Sequence, residues 1–356
     1  MTLETTMKVM IVGDWHSQIH EEAIYRSMLD QGIDVIKFSW HQYFYSDTKN
    51  KHITILSRIQ RKLLFGNIVN SINFDLIKAV VKNCPQYILI YRGTHIYADT
   101  IKKIKKINHK IKIISYNNDD PFSKKYPWWF WRHYKNSIIL DDLSLFYRPI
   151  NLLESKKYGV KKSEIFYPWF VPKLNFPLSN ALSEYECDIV FVGHYENDER
   201  LSYLESISAL GYKLKIYGPE KEWNKVIKKS KELKKYYPIR SVYGDDYNKA
   251  IGSAKIALCF FSKLNRDVYT RRCFEIPAAK VLLVASYTEE LKDLYEENRE
   301  IILFKNLNEL CIKIKNLLKN PILLESIANE GYNRAWKSGY DINSRTKVLI
   351  KKMLDL

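Results

Sequence analysis

One pattern occurs twice in this chain and limits what it can fold into. Met7-Lys-Val-Met-Ile-Val12 is an apolar run that ends at Gly13, and Cys187-Asp-Ile-Val-Phe-Val192 is another that ends at Gly193-His194. Each leads through a polar loop into a stretch with helical spacing, 21–31 in the first case and 199–210 in the second. A short apolar run closed by glycine is the pattern of a strand buried on both faces of a parallel sheet. Parallel strands need crossovers, so strand, loop and helix must alternate, which is how a doubly wound α/β domain is built. Two such openings in 356 residues predict two α/β domains.

The remaining pattern fills in both. In the first half, strands are expected at 34–38, 87–91, 112–116, 137–140 and 163–166, and helices at 53–65, 68–82, 101–108 and 152–158. In the second, strands are expected at 214–217, 255–261, 281–285 and 301–304, with helices at 247–253, up to 337, and at 342–354. Closely spaced Pro168, Pro172 and Pro177 keep the chain irregular between the halves. The division expected is a domain over 1–170, a linker over 171–184, a second domain over 185–338, and a last helix within 339–356. Residues 1–6 read as disordered. The opening at Gly13 lacks a G-x-G-x-x-G fingerprint, which argues against a dinucleotide site there.

Lys and Arg exceed Asp and Glu by 57 to 40, a formal charge of +17 that attracts polyanions: nucleic acid, anionic lipid or phosphorylated substrates. Runs such as Lys102-Lys-Ile-Lys-Lys106 also suit a solvated helix face. The five cysteines are scattered, with no C-x-x-C, so neither a zinc site nor a disulfide framework is indicated and a reducing compartment fits. No run of about 18 apolar residues and no secretory h-region occur, so a cytoplasmic location is expected. Trp128-Trp-Phe-Trp-Arg-His-Tyr-Lys135, with Lys124 and Lys125 ahead of it, suits aromatic packing, a membrane interface or base stacking.

Chemistry concentrates in residues 266–286. A polar loop carries Asp267, Tyr269, Thr270, Arg271 and Arg272 into a short helical run with Glu275, and an apolar strand follows. Helix starts favour anions, and guanidinium forks match phosphate oxygens. A carboxylate one turn on would be repelled by phosphate but would accept hydrogen bonds from ribose hydroxyls. A nucleotide diphosphate site fits, and so does an ion-pair cluster at a helix start. In the first half, Asp119 and Asp120 in Asn117-Asn-Asp-Asp-Pro121 follow a strand, where both acid/base work and helix capping are open to them. His16 and His95 lie on comparable loops.

Asp188-Ile-Val-Phe-Val-Gly-His194, Tyr269-Thr-Arg-Arg-Cys-Phe-Glu-Ile-Pro-Ala278, Glu330-Gly-Tyr-Asn-Arg334 and the Asp-Asp-Pro loop together resemble the GT-B glycosyltransferases, more narrowly the CgeB-like (spore-protein-type) family, relatives of retaining nucleotide-sugar enzymes. The resemblance implies an α/β fold of GT-B architecture, two Rossmann-like domains facing a central cleft, with the last helix crossing back to the first domain. It implies sugar transfer from a nucleotide-diphosphate sugar to a glycan or lipid-linked acceptor of surface polysaccharide synthesis, with no separate cofactor or nucleic acid. A metal-independent reaction is expected, since arginines and helix-terminus donors stabilise the leaving diphosphate. Donor contacts are expected from Gly193, His194, Gly218, Asp267, Tyr269, Thr270, Arg271, Arg272 and Glu275, with Glu275 on the ribose. Asp119, Asp120 and His16 are the acid/base candidates, with His95 behind them. Relatives carry a glutamate eight residues before the ribose glutamate, where this chain has Asp267, and small residues where it has Lys280. Epimerases and carbohydrate-binding proteins of the same fold remain alternatives, and a peripheral place on an anionic membrane suits the charge.

Overall fold

The computed structural model describes residues 7–45 and 53–356; residues 1–6, read from sequence as disordered, lie outside them. The chain divides into two compact units, Met1–Tyr167 with Ile342–Leu356, and Pro168–Asp341.

In the first unit the strands are β1 (Lys8–Gly13), β2 (Asp34–Ser39), β3 (Tyr87–Tyr91), β4 (Lys112–Asn117), β5 (Leu143–Phe146) and β6 (Ser163–Ile165). They pair in parallel, in the order β2-β1-β3-β4-β5-β6. The helices are α1 (Glu21–Asp30), α2 (Ile55–Leu63), α3 (Asn67–Asn83), α4 (Ala98–Ile107), α5 (Arg132–Ile138) and α6 (Pro149–Tyr158).

The second unit holds β7 (Cys187–Val192), β8 (Leu214–Tyr217), β9 (Ala254–Cys259), β10 (Leu282–Ser286) and β11 (Ile302–Phe304), also parallel, in the order β11-β10-β9-β7-β8. Its helices are α7 (Arg200–Ala209), α8 (Glu220–Ile227), α9 (Asp245–Gly252), α10 (Arg272–Ala278), α11 (Glu289–Leu294), α12 (Leu307–Lys319) and α13 (Pro321–Lys337). The last helix, α14 (Ile342–Leu354), belongs to the first unit. There Gln31 donates to the Asn343 carbonyl at 3.2 Å, and Lys352 pairs with Glu164.

Counted from its own first strand, the first sheet runs 2-1-3-4-5-6 and the second 2-1-3-4-5, so the strand order reverses between β1 and β3 and between β7 and β9. Crossover loops leave in opposite directions at such a point and open a crevice beyond the strand ends. The inner strands of the second sheet are apolar: Ile189, Phe191, Ile256, Leu258, Leu282 and Val284 are buried in one cluster with helix residues Leu204, Ile207 and Trp223. Each such side chain contributes about 1.5–3 kcal/mol on burial.

The expected strand at 137–140 is the end of a helix. Ser137 and Ile138 close α5, and Leu140 N–H bonds the Ser137 carbonyl at 2.9 Å. The strand is Leu143–Phe146, buried at every position, with Ser144 interrupting its apolar run. Both aspartates before it stitch the sheet. Asp142 Oδ2 accepts from Ile113 N–H at 2.6 Å. Asp141 accepts from Ser144 Oγ at 3.0 Å, and burial pushes its carboxyl up to about 8. Residues 171–184 lie in the second unit, where side-chain oxygens replace ladder partners: Asn248 accepts from Phe176 N–H at 3.2 Å and Ser253 from Leu182 N–H at 3.0 Å. The aromatic stretch packs in part, with Trp131 and Tyr134 buried against Ile138, Phe146 and Val160.

His95 is a core residue. It is 7% exposed, packed between Trp40 and Phe44 with ring centroids 5.5 and 5.3 Å away, and its Nδ1 lies 3.0 Å from Thr94 Oγ1. Burial lowers its imidazole to about 3. Below about pH 6.5 the unfolded chain binds a proton that the folded one refuses, so this residue contributes stability above that value and loses it on acidification. The loss is about 1.4 kcal/mol per pH unit, or about 2 kcal/mol at about pH 5. Thermal unfolding between about pH 7 and about pH 5 should therefore fall more steeply for the wild type than for His95→Gln, and parallel curves would contradict this.

Candidate functional site

Beyond the ends of the neighbouring strands β7 and β8 the backbone is unusually close. Trp223 Nε1 donates to the Gly193 carbonyl at 2.7 Å, and a Cβ on Gly218 would lie 2.1 Å from that same oxygen and 2.5 Å from Trp223 Nε1. Glycine at 218 is thus a packing requirement, since neither a backbone carbonyl nor a buried indole can retreat. Gly218→Ala should destabilise the protein by about 1–3 kcal/mol in urea unfolding, and an unchanged midpoint would refute the close approach. His194 follows Gly193, exposed, with Nδ1 3.1 Å from Glu222 Oε2.

β9 opens into the loop that carries the other candidates. Arg266 enters it with φ +48°, and Lys280 leaves α10 with φ +60°, the left-handed conformation that small residues adopt more readily. Asp267 N–H bonds the Ser262 carbonyl at 2.9 Å. Tyr269 is buried and meets Phe274 edge-on at 6.2 Å. Thr270 Oγ1 lies 3.4 Å from Cys259 Sγ, which in turn is 3.9 Å from Cys273 Sγ. The five cysteines are free thiols. α10 has only seven residues and contains Pro277. Behind it, Gly331 of α13 leaves room for the Glu300 carbonyl, which a Cβ would meet at 2.4 Å.

Glu275 sits on the buried side of α10, 6% exposed. Tyr247 Oη, from α9, donates to its Oε2 at 2.8 Å, while Oε1 takes no hydrogen bond among the described residues. Burial raises its carboxyl above the ordinary value, against the charges of Arg271 and Arg272 and the Tyr247 bond. Arg271 Nη1 donates to the Trp169 carbonyl at 3.2 Å, and its guanidinium lies over the Trp169 ring at 4.7 Å. The structure therefore brings Arg271, Arg272, Thr270 and Glu275 together around one helix start, and adds Tyr247.

Sequence reasoning missed Arg200. Its side chain is 4% exposed and grips Asp198 in bidentate fashion, Nε and Nη2 at 2.7 Å from the two oxygens. Nη1 donates to the His194 carbonyl at 2.6 Å and Nη2 to the Phe261 carbonyl at 3.4 Å. One guanidinium thus ties the loop after β7 to the loop after β9, the two that flank the switch point.

In the first unit the β1/β3 switch point holds a titratable cluster. Asp14 accepts from His41 at 2.6 Å and pairs with His16 at 2.7 Å, and His41 Nε2 lies 2.5 Å from Tyr45 Oη. Burial alone would raise the Asp14 carboxyl, but the His16 and His41 bonds hold it well below the usual carboxylate range. The Asp14 bond raises the His16 imidazole above its ordinary value, against burial. Arg92 and Trp15 adopt φ +64° and +59°, so strained backbone gathers at this edge. Glu21 fills the nest a phosphate would use, accepting from Asp14 N–H at 2.9 Å and Trp15 N–H at 3.5 Å.

The Asp-Asp-Pro loop separates its two carboxylates. Asp119 pairs with Arg92 at 2.7 Å, in line with the cluster. Asp120 is fully buried, and its Oδ1 accepts from Phe122 N–H, Ser123 N–H and Asn151 Nδ2 at 3.0, 3.1 and 2.8 Å, so it closes a turn of the loop rather than capping a helix, since α5 starts only at Arg132.

Residues 200–351 match the sequence model of a family described as glycosyl transferase-like. No curated protein matches. Among solved structures, the sucrose-phosphate synthase of Thermosynechococcus elongatus aligns over 98% of this chain and 99% of its own, at 12% identity and TM-score 0.73. A glycosyltransferase of Rickettsia africae aligns over 99% and 98%, at 12% identity and TM-score 0.70. HepE of Anabaena, solved with UDP, aligns over 98% and 100%, at 10% identity and TM-score 0.67. Two parallel-sheet α/β units matched along nearly their whole length give this chain the GT-B glycosyltransferase fold, with a glycosyl transferase-like sequence over residues 200–351.

Proposed function

We propose that the protein transfers a sugar from a nucleotide-diphosphate sugar to a glycan or lipid-linked acceptor. The observation that carries this reading is Glu275, a buried carboxylate with one oxygen held by Tyr247 and the other without a hydrogen-bond partner among the described residues. Two arginines stand at the same helix start. A ribose diol would complete the carboxylate's hydrogen bonding, and the arginines would meet the diphosphate. Arg271 or Arg272, side by side at the helix start, would neutralise the leaving diphosphate. Gly193, His194 and Gly218 would border the diphosphate, Tyr269 and Thr270 shape the loop, and Asp267 faces the sugar hydroxyls. HepE, also solved with UDP-glucose, supports a nucleotide sugar as ligand.

As charge develops on the leaving diphosphate, fixed guanidinium donors stabilise it without reorganisation, which is the basis for proposing a metal-independent reaction. Retention of configuration, the CgeB-like subfamily and surface polysaccharide synthesis follow from the motifs around Arg272 and Asp119 and belong to the same proposal. Asp119 and His16 are the acid/base candidates in the first unit, with Asp14 fixing His16. A screen of sugar nucleotides by thermal stabilisation should yield one donor that raises the melting temperature, and the double variant Arg271→Ala/Arg272→Ala should abolish that rise. Product analysis then decides the class: turnover that requires no acceptor and changes only the sugar would make the protein an epimerase, and stabilisation by no nucleotide would refute the reading.

A further inference from the structure

α2 is amphipathic in the opposite sense to a helix packed on a water-soluble core. Its inward positions include Ser57 and Gln60, and Gln60 Oε1 accepts from Ile68 N–H at 2.9 Å. Thr54 caps its start, accepting from Ser57 N–H at 3.1 Å. Its outward positions are apolar: Ile55, Leu56 and Ile59 are 77%, 64% and 47% exposed, and Phe65 just beyond is 52% exposed. Arg132 donates to the Leu63 and Leu64 carbonyls at 3.0 and 3.1 Å, and His133 Nε2 lies 2.7 Å from the latter. These bonds set the turn that carries Trp128, 83% exposed, beside that end of α2. Apolar side chains held outward in this way cost free energy in water unless something covers them.

The surrounding charge says what covers them. Arg58, Arg61 and Lys62 lie on α2, and Lys124 and Lys125 lead into the Trp128 turn. No Asp or Glu occurs between Asp47 and Asp75, or between Asp120 and Asp141. A second copy docked through the same face would set basic against basic. An anionic bilayer meets both needs: phosphates take the cations, the acyl boundary takes the isoleucines and leucine, and an indole sits at the headgroup level. α2 and α3 bend by 67° at their junction, and α3 buries Val69, Ile72, Leu76 and Val80 in the core, so α2 would lie in the interface plane. We infer that the first unit docks on an anionic membrane surface through α2 and the Trp128 turn. This gives the acceptor half of the proposed reaction a place without depending on it.

The test is co-sedimentation of the full chain with phosphatidylcholine vesicles containing about one third phosphatidylglycerol, against pure phosphatidylcholine. The wild type should bind the anionic vesicles at least about tenfold more strongly, and salt should weaken the binding. Leu56→Glu/Ile59→Glu should lower it about tenfold or more, and Trp128→Ala by less, while both variants melt and bind nucleotide as the wild type does. Binding unchanged in the double variant, or no binding by the wild type, would overturn the inference. So would a wild-type dimer that ignores vesicles and that the double variant dissociates, which would assign the face to a second copy. Nucleotide binding is the separate control, so failure here leaves the transfer reading standing.

Discussion

Glu275→Gln should weaken nucleoside diphosphate binding about 10- to 100-fold while leaving the melting temperature unchanged or higher. The two effects have opposite origins. Binding falls because the amide keeps the shape of the carboxylate but loses the charge that strengthens hydrogen bonds from ribose hydroxyls. Stability does not fall because the carboxylate is a cost to the free protein: burial raises its folded value above the ordinary one. For an acid, a raised folded value means that stability is fully present below the unfolded value, about 4.3, and is lost as pH rises through the folded one. At neutral pH the charge is therefore a liability, retained at a place where it serves a ligand. Calorimetry and thermal unfolding on the same preparation read both quantities. A variant that binds as tightly as wild type, or that melts much lower, would make Glu275 a structural ion-pair residue.

Arg200→Ala should be the most damaging single change outside the sheets, at about 3–5 kcal/mol. It strands Asp198, whose side chain is 6% exposed, and leaves the His194 and Phe261 carbonyls without their donor. Total stabilities of domains are only about 5–15 kcal/mol, so the effect is a large share of what the fold has. Denaturant unfolding measures it. The double variant Asp198→Ala/Arg200→Ala should recover part of the loss, since no buried carboxylate is then left alone. A loss below about 1 kcal/mol for the single variant would mean that the two loops are held by something else.

Much of the architecture is legible in the sequence because parallel strands announce themselves. Tyr87–Tyr91, Cys187–Val192, Leu214–Tyr217 and Ile342–Leu354 have the boundaries that their apolar patterns give. Leu143–Phe146 does not, because Ser144 interrupts its apolar run while Ile138-Ile-Leu140 just before it offers a continuous one that belongs to the end of α5. α8 shows no motif, although its Trp223 holds the Gly193 carbonyl. In the site, Glu275 is conspicuous because it follows two arginines by one helical turn. Tyr247 and Arg200 are not, because their meaning lies in partners that folding brings near: Tyr247 meets Glu275 across 28 residues, and Arg200 meets Phe261 across 61. Asp119 and Asp120 are neighbours in sequence with separate roles, since one faces Arg92 and the other is consumed by the loop's own N–H groups.

The central claim is that Glu275 reads the ribose of a nucleotide sugar. Titration calorimetry with whichever of UDP and GDP binds better, and with its 2′,3′-dideoxy analogue, tests it in wild type and in Glu275→Gln. The wild type should discriminate against the analogue by about tenfold or more, and the variant should discriminate little, which is the coupling expected of a direct contact. Equal discrimination by both proteins would contradict the assignment, and with it the placement of the nucleotide at the start of α10.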